Sequence, residues 1–71
     1  MYFIKSVNSR YEFDGNQSDA LKSAREHSFY TPGSLVYLLR PTVYDTERLY
    51  RIVNGKARKL IGDERKPWNY D

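Results

Sequence analysis

Short apolar runs broken by turn residues set the rhythm of this chain. Tyr2 to Val7 alternates well enough to read as a first strand. Asn8-Ser9-Arg10 follows as a turn. Tyr11-Glu12-Phe13 reads as a short return strand with both aromatics on one face. Asp14-Gly15 breaks the pattern, and the period then changes. Ala20, Leu21 and Ala24, extended by His27 or Ser28, mark one stripe of a helix running from about Gln17 to His27 or Ser28. Asn16 or Ser18 is placed to cap it, and Asp19 lies near its positive end. The stripe is made of small residues, so the helix can lie close to a sheet while contributing little apolar area.

Phe29-Tyr30 ends the helix and Thr31-Pro32-Gly33 stops it. Ser34 to Arg40 is the most apolar run and reads as the central strand, with Pro41 as its end. Thr42 to Glu47 reads as a connection. The strongest local signal comes next. Arg48 to Val53 and Lys56 to Ile61 flank Asn54-Gly55, which supplies the two positive-φ residues of a type I′ hairpin turn. A two-residue loop fixes the pairing, so Val53 faces Lys56, Ile52 faces Ala57, Arg51 faces Arg58, Tyr50 faces Lys59 and Leu49 faces Leu60. The order is β-β-α-β-β-β, an α+β fold of one helix packed on a small antiparallel sheet with a C-terminal β-hairpin. Residues 1–62 read as a single domain and 63–71 as a polar tail.

Composition narrows the class. Seventy-one residues make one domain of modest core, and there is no cysteine to staple it. Cysteine-free composition suits a cytoplasmic protein. The apolar runs are too short for a membrane span, and the N-terminal residues read as a strand rather than a signal peptide. Seven Tyr, three Phe and one Trp make up 15% of the chain and serve both core and interface. The net charge of +3 is mild but uneven, since Arg48 to Lys59 holds five basic residues and no acidic one.

Candidate chemistry is sparse. His27 is the only histidine, near a helix end, and is better placed to cap or fill space than to serve a triad. Asp14 to Asp19 opens like a calcium-binding EF-hand loop, but Asp19 stands where glycine is needed and Arg25 where the bidentate glutamate belongs. The Asn16-Gln17-Ser18 glycosylation pattern is idle in a cytoplasmic chain. All four glycines sit at breaks between elements, so no phosphate loop is present. No cofactor, metal or catalytic group is expected.

A binding surface is. The hairpin register gathers Arg51, Lys56 and Arg58 on one face, where directly opposed like charges are destabilising until water or an anionic partner screens them. Arg48, Lys59 and Tyr50 belong to the same hairpin. Together these residues suit phosphates and a stacked base. The competing structural account is edge protection, because natural edge strands carry Lys and Arg to prevent sheet-to-sheet pairing. Trp68 and Tyr70 in the tail are hot-spot residue types, and Trp68 equally suits covering one end of a small core.

The central third resembles the small inhibitor of bacterial RNA polymerase made by lytic podovirus-type coliphages. The matching residues are Ala20-Leu21 with Ala24, then Gly33, Val36, Arg40 and Pro41, with Pro32 at the break. The layout is also similar to small phage-encoded anti-CRISPR proteins. The resemblance implies a non-enzymatic inhibitor that occludes a host nucleic-acid-processing complex, of RNA polymerase or CRISPR effector type, with Arg40 among its contacts. The family's second arginine falls on Leu38 here. The expected partner surface comprises Arg40, Arg48, Tyr50, Arg51, Lys56, Arg58, Lys59, Trp68 and Tyr70, set against a host protein or ribonucleoprotein. Two alternatives remain open: direct nucleic-acid binding through the same hairpin, and a homodimer formed by edge-strand pairing.

Overall fold

The computed structural model describes residues 1–7 and 9–66. Five strands and one helix follow in the order β1 (Tyr2–Lys5), β2 (Arg10–Phe13), α1 (Gln17–Phe29), β3 (Val36–Pro41), β4 (Thr46–Val53) and β5 (Lys56–Lys59), with a 3-10 turn at Gly62–Arg65. The sheet is fully antiparallel in the order β2-β1-β3-β4-β5, so the expected α+β architecture is the one formed. The apolar run of β3 is the middle strand.

The elements start and stop for identifiable reasons. β1 ends at Lys5, two residues before the alternation does. The Ser6 N–H donates to the Ser9 carbonyl at 2.8 Å and the two hydroxyls meet at 2.8 Å, which closes the turn early and releases Arg10 to β2. Asn16 caps α1, accepting from the Asp19 N–H at 2.8 Å. Pro41 is still paired, opposite Thr46, as the last residue of β3. Thr46 and Glu47 belong to β4 rather than to the connection, which shrinks to residues 42–45. There Thr42 N–H donates to the Asp45 carbonyl at 2.7 Å, and Asp45 N–H to the Thr42 hydroxyl at 3.1 Å.

One face of the sheet carries α1. Ile4, Val36, Leu38, Leu49 and Ile52 pack against Ala20 and Ala24 there, with Tyr2, Phe13, Leu21 and Tyr50 at the margin. The two alanines are fully buried. Ser28 continues their stripe, also fully buried, and its hydroxyl donates to the Arg25 carbonyl at 2.6 Å while accepting the Gly55 N–H at 2.7 Å. His27 fills space on the same helix, its ring edge-on to Tyr11 with centroids 5.5 Å apart.

The hairpin turn is therefore docked on the helix. Asn54 and Gly55 both have positive φ, 51° and 78°. Arg25 Nε donates to the Gly55 carbonyl at 2.9 Å, and the Asn54 side-chain oxygen accepts from the Gly33 N–H at 2.9 Å. The positive φ of the turn favours glycine at this position. The predicted register holds at every pair from Val53–Lys56 to Tyr50–Lys59. Leu60 follows it by donating its N–H to the Leu49 carbonyl at 3.0 Å.

β4 contains the one irregularity in this ladder. Leu38 pairs with Tyr50 but Leu39 pairs with Arg48, so Leu49 is an extra residue, a bulge. Strict alternation would put Arg48 on the same face as Tyr50 and turn Leu49 away from it. The bulge instead places Leu49 in the helix-side core and returns Arg48 to the other face.

Candidate binding face

Alternation sends every second residue of the sheet away from the helix. With Ile4, Leu38 and Ile52 facing α1, the opposite face carries Phe3 and Lys5 of β1, Arg10 and Glu12 of β2, and Tyr37 and Leu39 of β3. β4 adds Arg51 and Val53, and β5 adds Lys56 and Arg58. Among the described residues this face bears no α-helix, and the 3-10 turn adjoins it through Arg48 and Arg58.

Its centre is a pair of rings under guanidinium groups. Arg10 lies over Phe3 at 4.7 Å from the ring centroid, and Arg48 over Tyr37 at the same distance. Such cation–π contacts hold both partners flat against the sheet. Arg48 is buried and also donates from Nε to the Glu64 carbonyl at 2.9 Å, so it ties the 3-10 turn to β4. It acts as a fastener for this face rather than as a surface cation. Leu39 beside it is buried on the side away from the helix.

Around that centre the charge is almost all of one sign. Lys5, Arg10, Arg51, Lys56 and Arg58 span four of the five strands, about 19 Å across at the usual strand spacing. Glu12 is the acidic residue that alternation places among them. Glu64 stands at the margin, where its carboxylate accepts from Arg58 at 2.9 Å. That hydrogen bond, with the Arg58 charge, holds the Glu64 carboxyl below the usual carboxylate range.

The remaining predicted residues separate from this group. Tyr50 and Lys59 lie on the helix side, Tyr50 packed at the edge of the core. Arg40 stands at the end of β3, bonded to the Glu47 carboxylate, which also accepts from Arg65 at 2.9 Å. An open cleft of about 640 Å³ adjoins this cluster, lined by residues of mixed charge including Asp45, Arg65 and Lys66. Trp68 and Tyr70 lie outside the described residues. Lys5, Arg10, Phe3 and Tyr37 are members of the face that sequence reasoning missed. The signal was their period-two spacing with the core-facing residues of β1, β2 and β3, which acquires meaning only once β1 is known to sit beside β3.

Among the described residues no cluster of His, Cys, Asp and Glu could hold a metal ion, and no helix is long and apolar enough to cross a membrane. The fold and face together define a small α+β chain with one sheet surface packed on the helix and one cationic surface. No protein-family model, curated protein or solved structure matches this chain.

Proposed function

We propose that this chain is a small non-enzymatic binding module whose helix-free sheet face takes single-stranded nucleic acid. The carrying observation is the position of the cations. Protection of an exposed edge accounts for Lys56 and Arg58 on β5. It does not account for the exposed Arg51 on β4, which is an inner strand. Cations spread over inner and outer strands, with the exposed Arg10 guanidinium lying flat on Phe3, match what a flexible polyanion needs. Phosphates find charge along the face, and a base finds the Arg10 plane, since arginine planes accept stacked bases.

The test is fluorescence anisotropy with labelled single-stranded DNA and RNA of mixed sequence over a series of salt concentrations. Binding should weaken with salt at a slope of about −0.7 per phosphate contact. The pair of substitutions Arg51→Glu and Lys56→Glu, both on exposed strand positions, should abolish it with the circular dichroism spectrum unchanged. Absence of binding at low salt, or binding indifferent to this pair, overturns the proposal.

A second reading, occlusive docking on a host protein as the coliphage-inhibitor resemblance implies, is supported by a different part of the molecule. The doubly hydrogen-bonded 42–45 loop presents Val43 and Tyr44 at 89% and 97% exposure, at the same end of β3 as Arg40. A preorganised exposed tyrosine is a common interface anchor. Under this reading Tyr44→Ala loses a nuclease-resistant protein partner from bacterial lysate, whereas Arg51→Glu with Lys56→Glu removes nucleic acid alone.

A further inference from the structure

The two edges of the sheet are built differently. β5 presents Lys-Ala-Arg-Lys with all four residues exposed, an edge whose like charges repel a second copy. β2 presents Arg-Tyr-Glu-Phe, with Arg10, Tyr11 and Glu12 exposed. Among the described residues β2 pairs with β1 alone and is a terminal strand of the sheet.

The backbone groups on that edge can be assigned. Ser6 N–H bonds the Ser9 carbonyl, which makes Ser6–Ser9 a hydrogen-bonded pair of the β1–β2 ladder. Hydrogen-bonded pairs recur at every second residue of an antiparallel ladder. Ile4–Tyr11 and Tyr2–Phe13 are then the next such pairs, in the observed register. Ser9, Tyr11 and Phe13 point their backbone groups at β1. Arg10 and Glu12 point theirs outward.

We infer that β2 is a self-pairing edge that joins two copies of this chain across a two-fold axis through Tyr11. Opposed residues of an antiparallel pair share a face of the sheet, so Arg10 must meet a residue of its own parity. The register that satisfies this with unlike charges places Arg10 opposite Glu12 of the second copy and Glu12 opposite its Arg10. Tyr11 meets its own counterpart. The outward N–H and C=O groups of Arg10 and Glu12 then complete hydrogen bonds on both sides of the axis. Each side also gains an ion pair on the helix-free face. The centre gains an aromatic pair on the helix side. Alternative registers lose this match, because an axis through Glu12 would oppose the two glutamates, and a shift of one residue would put side chains on the wrong faces.

The result is a continuous ten-stranded sheet with both helices on one side and both cationic faces on the other. Arg10 and Glu12 become internal to the joined surface, so the acidic residue at its centre is neutralised. This inference stands apart from the nucleic-acid proposal, and its readout contains no nucleic acid.

Sedimentation equilibrium on the full chain tests it. The wild-type protein should show reversible, concentration-dependent dimerisation. Arg10→Glu and Glu12→Arg should each weaken it by about tenfold or more, since two opposed pairs change from unlike to like charge. Mixing these two variants should restore the dimer, because every opposed pair in the mixed species is again unlike. Amide exchange gives an independent view that does not depend on the variants folding. The Arg10 and Glu12 N–H groups of the wild type should become protected as concentration rises, while Tyr11 N–H is protected throughout. A monomer at all concentrations, a dimer untouched by both reversals, or exchange at Arg10 and Glu12 indifferent to concentration overturns the inference.

Discussion

Ser28 shows how much a single hydroxyl holds here. It is buried, it donates to Arg25 in its own helix, and it accepts the Gly55 N–H from the hairpin turn. Ser28→Ala leaves that amide without a partner in a buried site, which costs about 1–3 kcal/mol. Urea denaturation should report the loss as a lower midpoint with an unchanged slope. Glu64 is a residue-scale case of a different kind. Its carboxyl titrates low because Arg58 hydrogen-bonds the charged form. A carboxyl depressed in the folded state contributes stability above its unfolded-state titration, and this contribution is lost as pH falls through the folded one. The pair is substantially exposed, so its effect on stability is small and its effect on charge is the more telling. Arg58→Ala should bring the Glu64 titration, followed by NMR, up to the ordinary carboxylate range. Glu64→Gln should tighten single-strand binding by releasing Arg58, and unchanged affinity would place Arg58 outside the contact.

At the scale of elements, helix α1 lies close to the sheet because its inner stripe is Ala20, Ala24 and Ser28. Ala24→Leu inserts a branched side chain where no space is open and should cost about 1–3 kcal/mol, seen as a lower Tm. An unchanged Tm would mean that the helix can lift without loss. The hairpin and this helix were legible in the sequence because each rests on local rules. Asn54-Gly55 allows one register, and the alanine spacing allows one buried stripe. The binding face was legible only in part. Arg51, Lys56 and Arg58 follow from the hairpin alone. Lys5 and Phe3 join them because β1 inserts between β2 and β3, a non-sequential neighbour that no local pattern announces. Arg48 joins them because Leu49 is a bulge, and one extra residue reverses the parity of everything before it. Tyr50 and Lys59 neighbour the cations in sequence, whereas their register places them on the helix side.

The whole molecule is a two-layer body with helix and hairpin turn clasped at one end. Its stability should be modest for its size. The clasp has a chemical consequence for how the protein ages. Asn-Gly sequences deamidate when the glycine nitrogen attacks the asparagine side-chain carbonyl carbon, expelling ammonia and closing a succinimide that hydrolyses to aspartate or isoaspartate. Both participants are engaged here. The Gly55 N–H is held in a hydrogen bond to the Ser28 hydroxyl, and the Gly33 N–H fixes the orientation of the Asn54 side chain through its oxygen. The native fold thus holds apart the reaction that its own turn sequence invites. Isoaspartate at position 54, measured by mass spectrometry after incubation at mildly alkaline pH, should form slowly in the wild type and markedly faster in Ser28→Ala. Equal rates would show that the clasp gives no shelter. Otherwise Asn54 is a built-in clock, recording the accumulated time each molecule has spent with its hairpin released from its helix.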